Sequence, residues 1–229
     1  MSRLDFGRTI VLAPHPDDET LGCGGTLLRL KEEGCASLCW VLMTRMAVEA
    51  GYDGAAIRRR ETEIAQVGRL FGFERTIQLP FSAAMLDIAP THELVRALAA
   101  VFDDLQPETL LLPFPSDAHS DHRRTFAIAS ACSKWFRRKY LRRILCYEVP
   151  SETGFNLDPT AAPFAPNFYI KLEPRDVARK IEIMNLYEGE MAPFPFPRSE
   201  AAIQALALLR GSQCGSEAAE AYVLVRESL

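Results

Sequence analysis

Short apolar runs that stop at proline, each followed by a segment with helical spacing, constrain this chain more than any other feature. Ile10-Val11-Leu12-Ala13 has no polar alternation, the pattern of a parallel strand buried on both faces, and Pro14 and Pro16 end it. Residues 38–43, 76–79, 109–112 and 144–149 read as further strands, with Pro113 closing the run at 109–112. Between them, residues 20–33, 57–70, 92–105 and 121–136 read as helices. Leu21, Leu27, Leu28 and Leu30 mark the first, with Gly34 placed to cap it, and Ile64, Val67 and Leu70 share a face of the second. Strand and helix alternate at least four times before residue 150, which predicts an α/β fold. Its sheet should be mostly parallel, with helices on both faces and right-handed crossovers.

After Pro150 the chain changes character. Residues 150–166 read as a long loop, 167–172 as an edge strand, and 176–187 and 199–209 as helices. Pro193-Phe194-Pro195-Phe196-Pro197-Arg198 is too proline-rich for a helix or a central strand. At 229 residues with 48% apolar and 24% charged residues, the chain can bury a core without disulfides, and a single domain over 1–229 is expected. The six cysteines, Cys23, Cys35, Cys39, Cys132, Cys146 and Cys214, form no CxxC pair and read as reduced core residues. No signal peptide and no long apolar span are visible, so a soluble, cytoplasmic protein is expected. A net charge of −4 argues against a nucleic-acid partner. The basic run Lys134, Arg137, Arg138, Lys139, Arg142 and Arg143 reads as a solvated helix end; docking of an anionic lipid- or nucleotide-linked sugar is the lesser reading.

Ligands of open parallel sheets bind beyond the carboxyl ends of the strands. Two segments fall there, 15–19 after the first strand and 116–122 after the run at 109–112, and they hold three of the four histidines, each beside carboxylates. His15 and Asp18 can converge on one metal ion from a single loop, and His122 can supply a third ligand. Two histidines and a carboxylate with an open position describe a catalytic zinc site and equally the facial triad of non-haem iron(II). Asp17 adjoins a ligand without needing to be one and is placed to accept a proton from water. His119 can stabilise an oxyanion or protonate a leaving amine, while Asp121 can fix the tautomer of His119 or support a ligand histidine. Taken singly, a His-Pro pair is a turn and Asp-Asp-Glu a helix N-terminus; the metal reading rests on both clusters lying at strand ends. Iron(II) oxygenases sit on β-barrels, unlike this pattern. A non-catalytic sugar- or metal-binding protein needs neither Asp17 nor His119. Gly22-Cys23-Gly24-Gly25 lacks dinucleotide-binding spacing and suits close helix–loop packing under the metal site. His92 reads as a surface residue.

These motifs resemble those of the PIG-L/LmbE-type deacetylases. Ala13-Pro14-His15-Pro16-Asp17-Asp18-Glu19 is similar to A-H-P-D-D-E with Pro14 interposed, and His119-Ser120-Asp121-His122 matches H-x-D-H. Arg58-x-x-Glu61 at the head of a helix, Glu148-Val149-Pro150-Ser151, Phe164-Ala165-Pro166-Asn167 and the proline-rich stretch 193–199 are also similar to family segments. The resemblance implies a Rossmann-like, LmbE-like fold and zinc, one per chain, held by His15, Asp18 and His122, with iron(II) the other candidate. It implies Asp17 as general base, His119 as electrostatic stabiliser or acid, and Arg58 at the substrate. The substrate would be an N-acetylglucosamine-type conjugate that loses its acetyl group, and relatives are often oligomeric. Two departures fall near the sugar: Thr44-Arg45-Met46 where members often have T-x-G, and Phe196 where they often place a histidine.

Overall fold

Successive residues of a strand point to opposite faces of a sheet, and here both faces are apolar. Val11, Ala13, Trp40, Leu42, Leu111 and Leu145 pack into one core cluster, and their neighbours Ile10, Leu12, Val41, Met43, Leu110 and Leu112 into a second. The computed structural model describes residues 4–34 and 36–228; Cys35 lies outside them. The elements are β1 (Gly7–Ala13), α1 (Asp18–Glu33), β2 (Ala36–Arg45), α2 (Gly54–Phe71), β3 (Arg75–Ser82), α3 (Thr91–Leu105), β4 (Thr109–Pro113), α4 (Ser120–Cys132), β5 (Arg143–Tyr147), β6 (Phe168–Leu172), α5 (Pro174–Met184), α6 (Glu200–Cys214) and β7 (Ala218–Glu227). Helices α1, α2, α5 and α6 cover the first cluster, and α3 and α4 the second.

The sheet runs β3-β2-β1-β4-β5-β7-β6. Strands β1 to β5 are parallel, whereas β7 runs antiparallel to both β5 and β6. The sheet is thus mostly parallel with helices on both faces, as expected, and β6 is the edge strand foreseen at 167–172. The chain leaves β1 toward β3 and returns to the other side of β1 as β4. That reversal opens a crevice beyond the carboxyl ends of β1 and β4.

Three expectations need correction. Strand β7 was not foreseen, although Tyr222-Val223-Leu224-Val225 is a readable strand run; its first half, Ala218-Ala219-Glu220-Ala221, lacks β-branched residues, and its place between β5 and β6 comes with packing against α1 and α6. The helix expected at 121–136 ends at Cys132. The buried Arg138 folds back there, donating to the carbonyls of Cys132 and Ala99, so the chain turns under α3. The basic run is therefore not one helical face. Arg138, Arg142 and Arg143 pair with Asp103, Glu108 and Glu227, while Lys134, Arg137 and Lys139 are exposed.

Helix α1 sits close to the sheet. It kinks at Cys23 (φ −144°), and the freed backbone N–H groups of Gly25 and Thr26 donate to Glu220 of β7 at 2.9 and 2.8 Å. Lys180 of α5 donates to the same carboxylate at 2.8 Å and to the Leu21 carbonyl at 2.7 Å. A Cβ at Gly22 would lie 2.2 Å from the Tyr147 ring, so only glycine admits this approach. Gly34 caps α1 in the left-handed conformation, as its position suggested. Cys23, Cys39, Cys132 and Cys146 are buried, Cys214 is half-buried, and all five are free thiols. Among the described residues, no helix is long and apolar enough to cross a membrane.

Candidate metal centre and active site

The loop leaving β1 and the N-terminus of α4 meet in the crevice. Thr44 of β2 donates to the Pro14 carbonyl at 2.7 Å, and the backbone N–H of His15 donates to Asp18 Oδ2 at 2.8 Å. One ligand atom each from His15, Asp18 and His122 lies within 4.8 Å of the others. Asp18 Oδ1 is 3.3 Å from His122 Nε2, and Asp18 Oδ2 is 3.6 Å from His15 Nδ1.

Each histidine holds a second carboxylate on its far nitrogen. His15 Nε2 lies 2.9 Å from Asp121 Oδ2, and His122 Nδ1 lies 2.9 Å from Asp117 Oδ2. Asp121 also accepts the backbone N–H groups of Ala84 and Leu86, at 2.7 and 3.0 Å, so it is held rigidly. Asp117 is fully buried and accepts from Thr153 at 2.6 Å. Carboxylates of this kind fix the tautomer and direction of ligand histidines, and the donor set fits a divalent cation. Burial opposes charge on Asp18, but His122 and His15 outweigh it and lower its carboxyl below the usual range. Burial opposes charge on His122 as well, yet Asp18 and Asp117 push its imidazole up to about 10. A metal there must displace that proton. A second cluster, His15, His119 and Asp121, shares His15 with the first.

Asp17 stands beside this set and belongs to neither cluster. Its φ of 124° is rare for a residue with a side chain. Two other non-glycine residues with positive φ, Ala84 (61°) and Ser151 (86°), line the same cavity of about 280 Å³, and strained backbone of this kind concentrates at functional sites. Burial, then Asp18 and Glu190, raise the Asp17 carboxyl well above its ordinary range, while Arg198 pulls it back. Its backbone N–H donates to Glu19 Oε2 at 3.1 Å. Glu19 is wholly buried, and burial pushes it up to about 7 despite hydrogen bonds from Thr20 and Tyr187.

His119 caps α4, its Nδ1 accepting the Asp121 N–H at 3.0 Å. That leaves Nε2 as the donor nitrogen of the neutral ring. Burial, then the neighbouring His15, lower its pKa and favour that neutral form. The His119 ring lies 4.6 Å from the His15 ring, edge to face.

Arg58 is exposed and lines neither this cavity nor its neighbour. Two positions on, Arg60 is buried, lines both, and forms an i,i+3 ion pair with Glu63 at 3.1 Å. The R-x-x-E pattern whose arginine faces the site is thus Arg60-x-x-Glu63, and Arg60 further binds Glu190 at 2.6 Å. The neighbouring cavity, about 260 Å³, is walled by Arg45, Glu49, Glu61 and Gln78, and shares Met46 and Arg60 with the first. His92 is exposed, as expected.

Residues 10–133, more than half of the chain, match the PIG-L family, described as GlcNAc-PI de-N-acetylase. The chain belongs to this family. Among similar proteins, the diacetylchitobiose deacetylase of Thermococcus kodakarensis is 24% identical over 230 residues, covering 94% of this chain and 82% of its own. The conserved protein TT1542 from Thermus thermophilus superposes with a TM-score of 0.77 at 28% identity, covering 96% of both chains. The 4-carboxy-2-hydroxymuconate hydratase GalB of Pseudomonas putida KT2440 shares the fold at a TM-score of 0.72 and 15% identity, covering 97% of this chain and 98% of its own. The fold alone therefore does not name the reaction; the family and the site must.

Asp17, Asp18, His15, His119, Asp121 and His122 were expected in one crevice, and the structure brings all six together. Asp117, Glu19, Tyr187, Glu190 and Arg198 had no role in that expectation. Asp117 and Glu19 sat inside the quoted motifs and could have been singled out as partners for a buried histidine and a strained loop. Arg198 closes the proline-rich stretch that was singled out, without a role there, and nothing local marks Tyr187 or Glu190.

Proposed function

We propose that this PIG-L family member is a zinc-dependent hydrolase that removes the acetyl group from the nitrogen of an N-acetylglucosamine-type conjugate. The observation that carries this reading is Asp17: a carboxylate next in the chain to Asp18, outside the ligand cluster, that lines the same cavity as His119. Binding alone would require neither residue. His15, Asp18 and His122 would hold the metal, with iron(II) the alternative to zinc; its chemistry would be to polarise the amide carbonyl and acidify water. Asp17 accepts the proton as water adds to the amide carbon. His119 Nε2 donates to the oxygen on which negative charge develops. As the C–N bond breaks, the proton passes to the nitrogen, releasing acetate and a free amine. Asp121 and Asp117 hold the two histidines. Residues on both sides of 133 line the cavity, which supports reading 1–229 as a single deacetylase domain.

The test is acetate release from a panel of N-acetylglucosamine conjugates, with and without chelator. Release should stop on chelation and return with added zinc, and return with iron(II) alone would reassign the metal. No release by protein holding one metal per chain would move the substrate outside amino sugars.

A further inference from the structure

The segment between α5 and α6 reaches into the site, although it lies outside the residues matched to the family. Arg198 Nη1 donates to Asp17 Oδ2 at 3.1 Å, and among the described residues no other side chain bonds this carboxylate. The same nitrogen lies 3.1 Å from Glu190 Oε2. Glu190 is tied through its other oxygen to Arg60 Nη2 at 2.6 Å, and Arg60 Nε to Glu63 at 3.1 Å. Charges therefore alternate from α2 to the loop after β1: Glu63, Arg60, Glu190, Arg198, Asp17.

Both ends of this chain are anchored. Arg60 and Glu63 are buried in α2, and the Arg60 guanidinium lies over the Tyr187 ring, 5.4 Å from its centroid. Arg198 lies over Phe196 at the same distance and immediately precedes Ser199, the buried N-cap of α6, whose Oγ accepts the Ala202 N–H at 3.2 Å. Arg198 cannot swing away without leaving Glu190. It occupies one oxygen of Asp17 and leaves Oδ1 as the oxygen free to take a proton from the cavity.

Resting on the deacetylase reading above, we propose that Arg198, braced by Glu190 and Arg60, is the positioning residue for Asp17. It fixes the direction in which the base presents its free oxygen. Such a residue acts through Asp17 alone, unlike one that binds substrate or merely supports the fold.

The experiment measures kcat and KM for acetate release from methyl N-acetylglucosaminide by zinc-loaded wild type, Arg198→Ala, Arg198→Lys, Asp17→Asn and the double variant Asp17→Asn/Arg198→Ala. Arg198→Ala should lose roughly 10- to 100-fold in kcat with KM within about threefold and zinc content unchanged. Arg198→Lys, which keeps the charge but not the fork, should fall between, and it carries the test if the alanine variant does not fold. In the Asp17→Asn background the Arg198→Ala change should alter residual kcat by less than about twofold. A raised KM with unchanged kcat would make Arg198 a substrate ligand and overturn the proposal, as would an equal loss in both backgrounds. A crystal structure of the zinc-loaded Arg198→Ala or Arg198→Lys protein reads the carboxylate directly. An Asp17 that keeps its direction there overturns positioning, even if wild type releases no acetate and only the deacetylase reading has failed.

Discussion

Asp17 combines two costs that a structural residue would avoid: a left-handed backbone and a buried carboxylate whose proton is held well above the ordinary range. Glu19 supports the backbone through the Asp17 N–H, and Arg198 holds the side chain. Asp17→Asn keeps the shape and removes the proposed base. It should retain one metal per chain by elemental analysis and lose roughly 10²- to 10⁴-fold in kcat; near-normal turnover would remove Asp17 from that role. His122 gives a second prediction, in the metal-free protein. Its folded pKa, about 10, lies above the ordinary 6.5, so its stabilisation is fully present below 6.5 and is lost as pH rises toward 10. Thermal melts of chelated protein should fall across that window, and calorimetry in buffers of different ionisation enthalpy should detect proton release on zinc binding near pH 7.5. Flat melts and no proton release would mean that His122 is already neutral.

At the scale of the element, a helix determines which of its residues can act. Residues two apart on α2 point about 200° apart around the axis, so Arg58 meets solvent while Arg60 meets the cavity. The motif was legible, but its register was not, because Arg58, Arg59 and Arg60 stand in a row with Glu61 and Glu63 three residues beyond the first and the last. Arg58→Ala should leave kcat/KM within about twofold, since surface changes away from special features have small effects. Arg60→Ala strands the buried Glu63 and leaves Glu190 with Arg198 alone, and should destabilise by about 3 kcal/mol in urea titration. On α1, the glycine run was readable as a close approach to a loop; Gly22 does make a close approach, but against Tyr147 of strand β5. Gly22→Ala should cost roughly 1–3 kcal/mol through overpacking, measured the same way.

At the scale of the molecule, β7 and the residues around it connect the part of the chain matched to PIG-L with the part that is not. Glu220 takes the backbone donors freed by the kink of α1, and Lys180 of α5 neutralises it among buried surroundings. Lys180→Met would leave that carboxylate buried without a cation and should destabilise by roughly 3–5 kcal/mol in urea titration. The parallel half of the sheet was legible because each buried strand is a continuous apolar run, and the site because strand, proline and acid follow one another within a few residues. The proposed metal ligands, Asp17, His119 and Asp121 are all set by such local order, on two loops that the topology must bring together. The contacts of Asp17 with Arg198, 181 residues away, and of Glu220 with Gly25, 195 residues away, have no local signature. They exist only because α5, α6 and β7 pack back onto α1 and α2, and such packing depends on the whole core rather than on any neighbour in the chain.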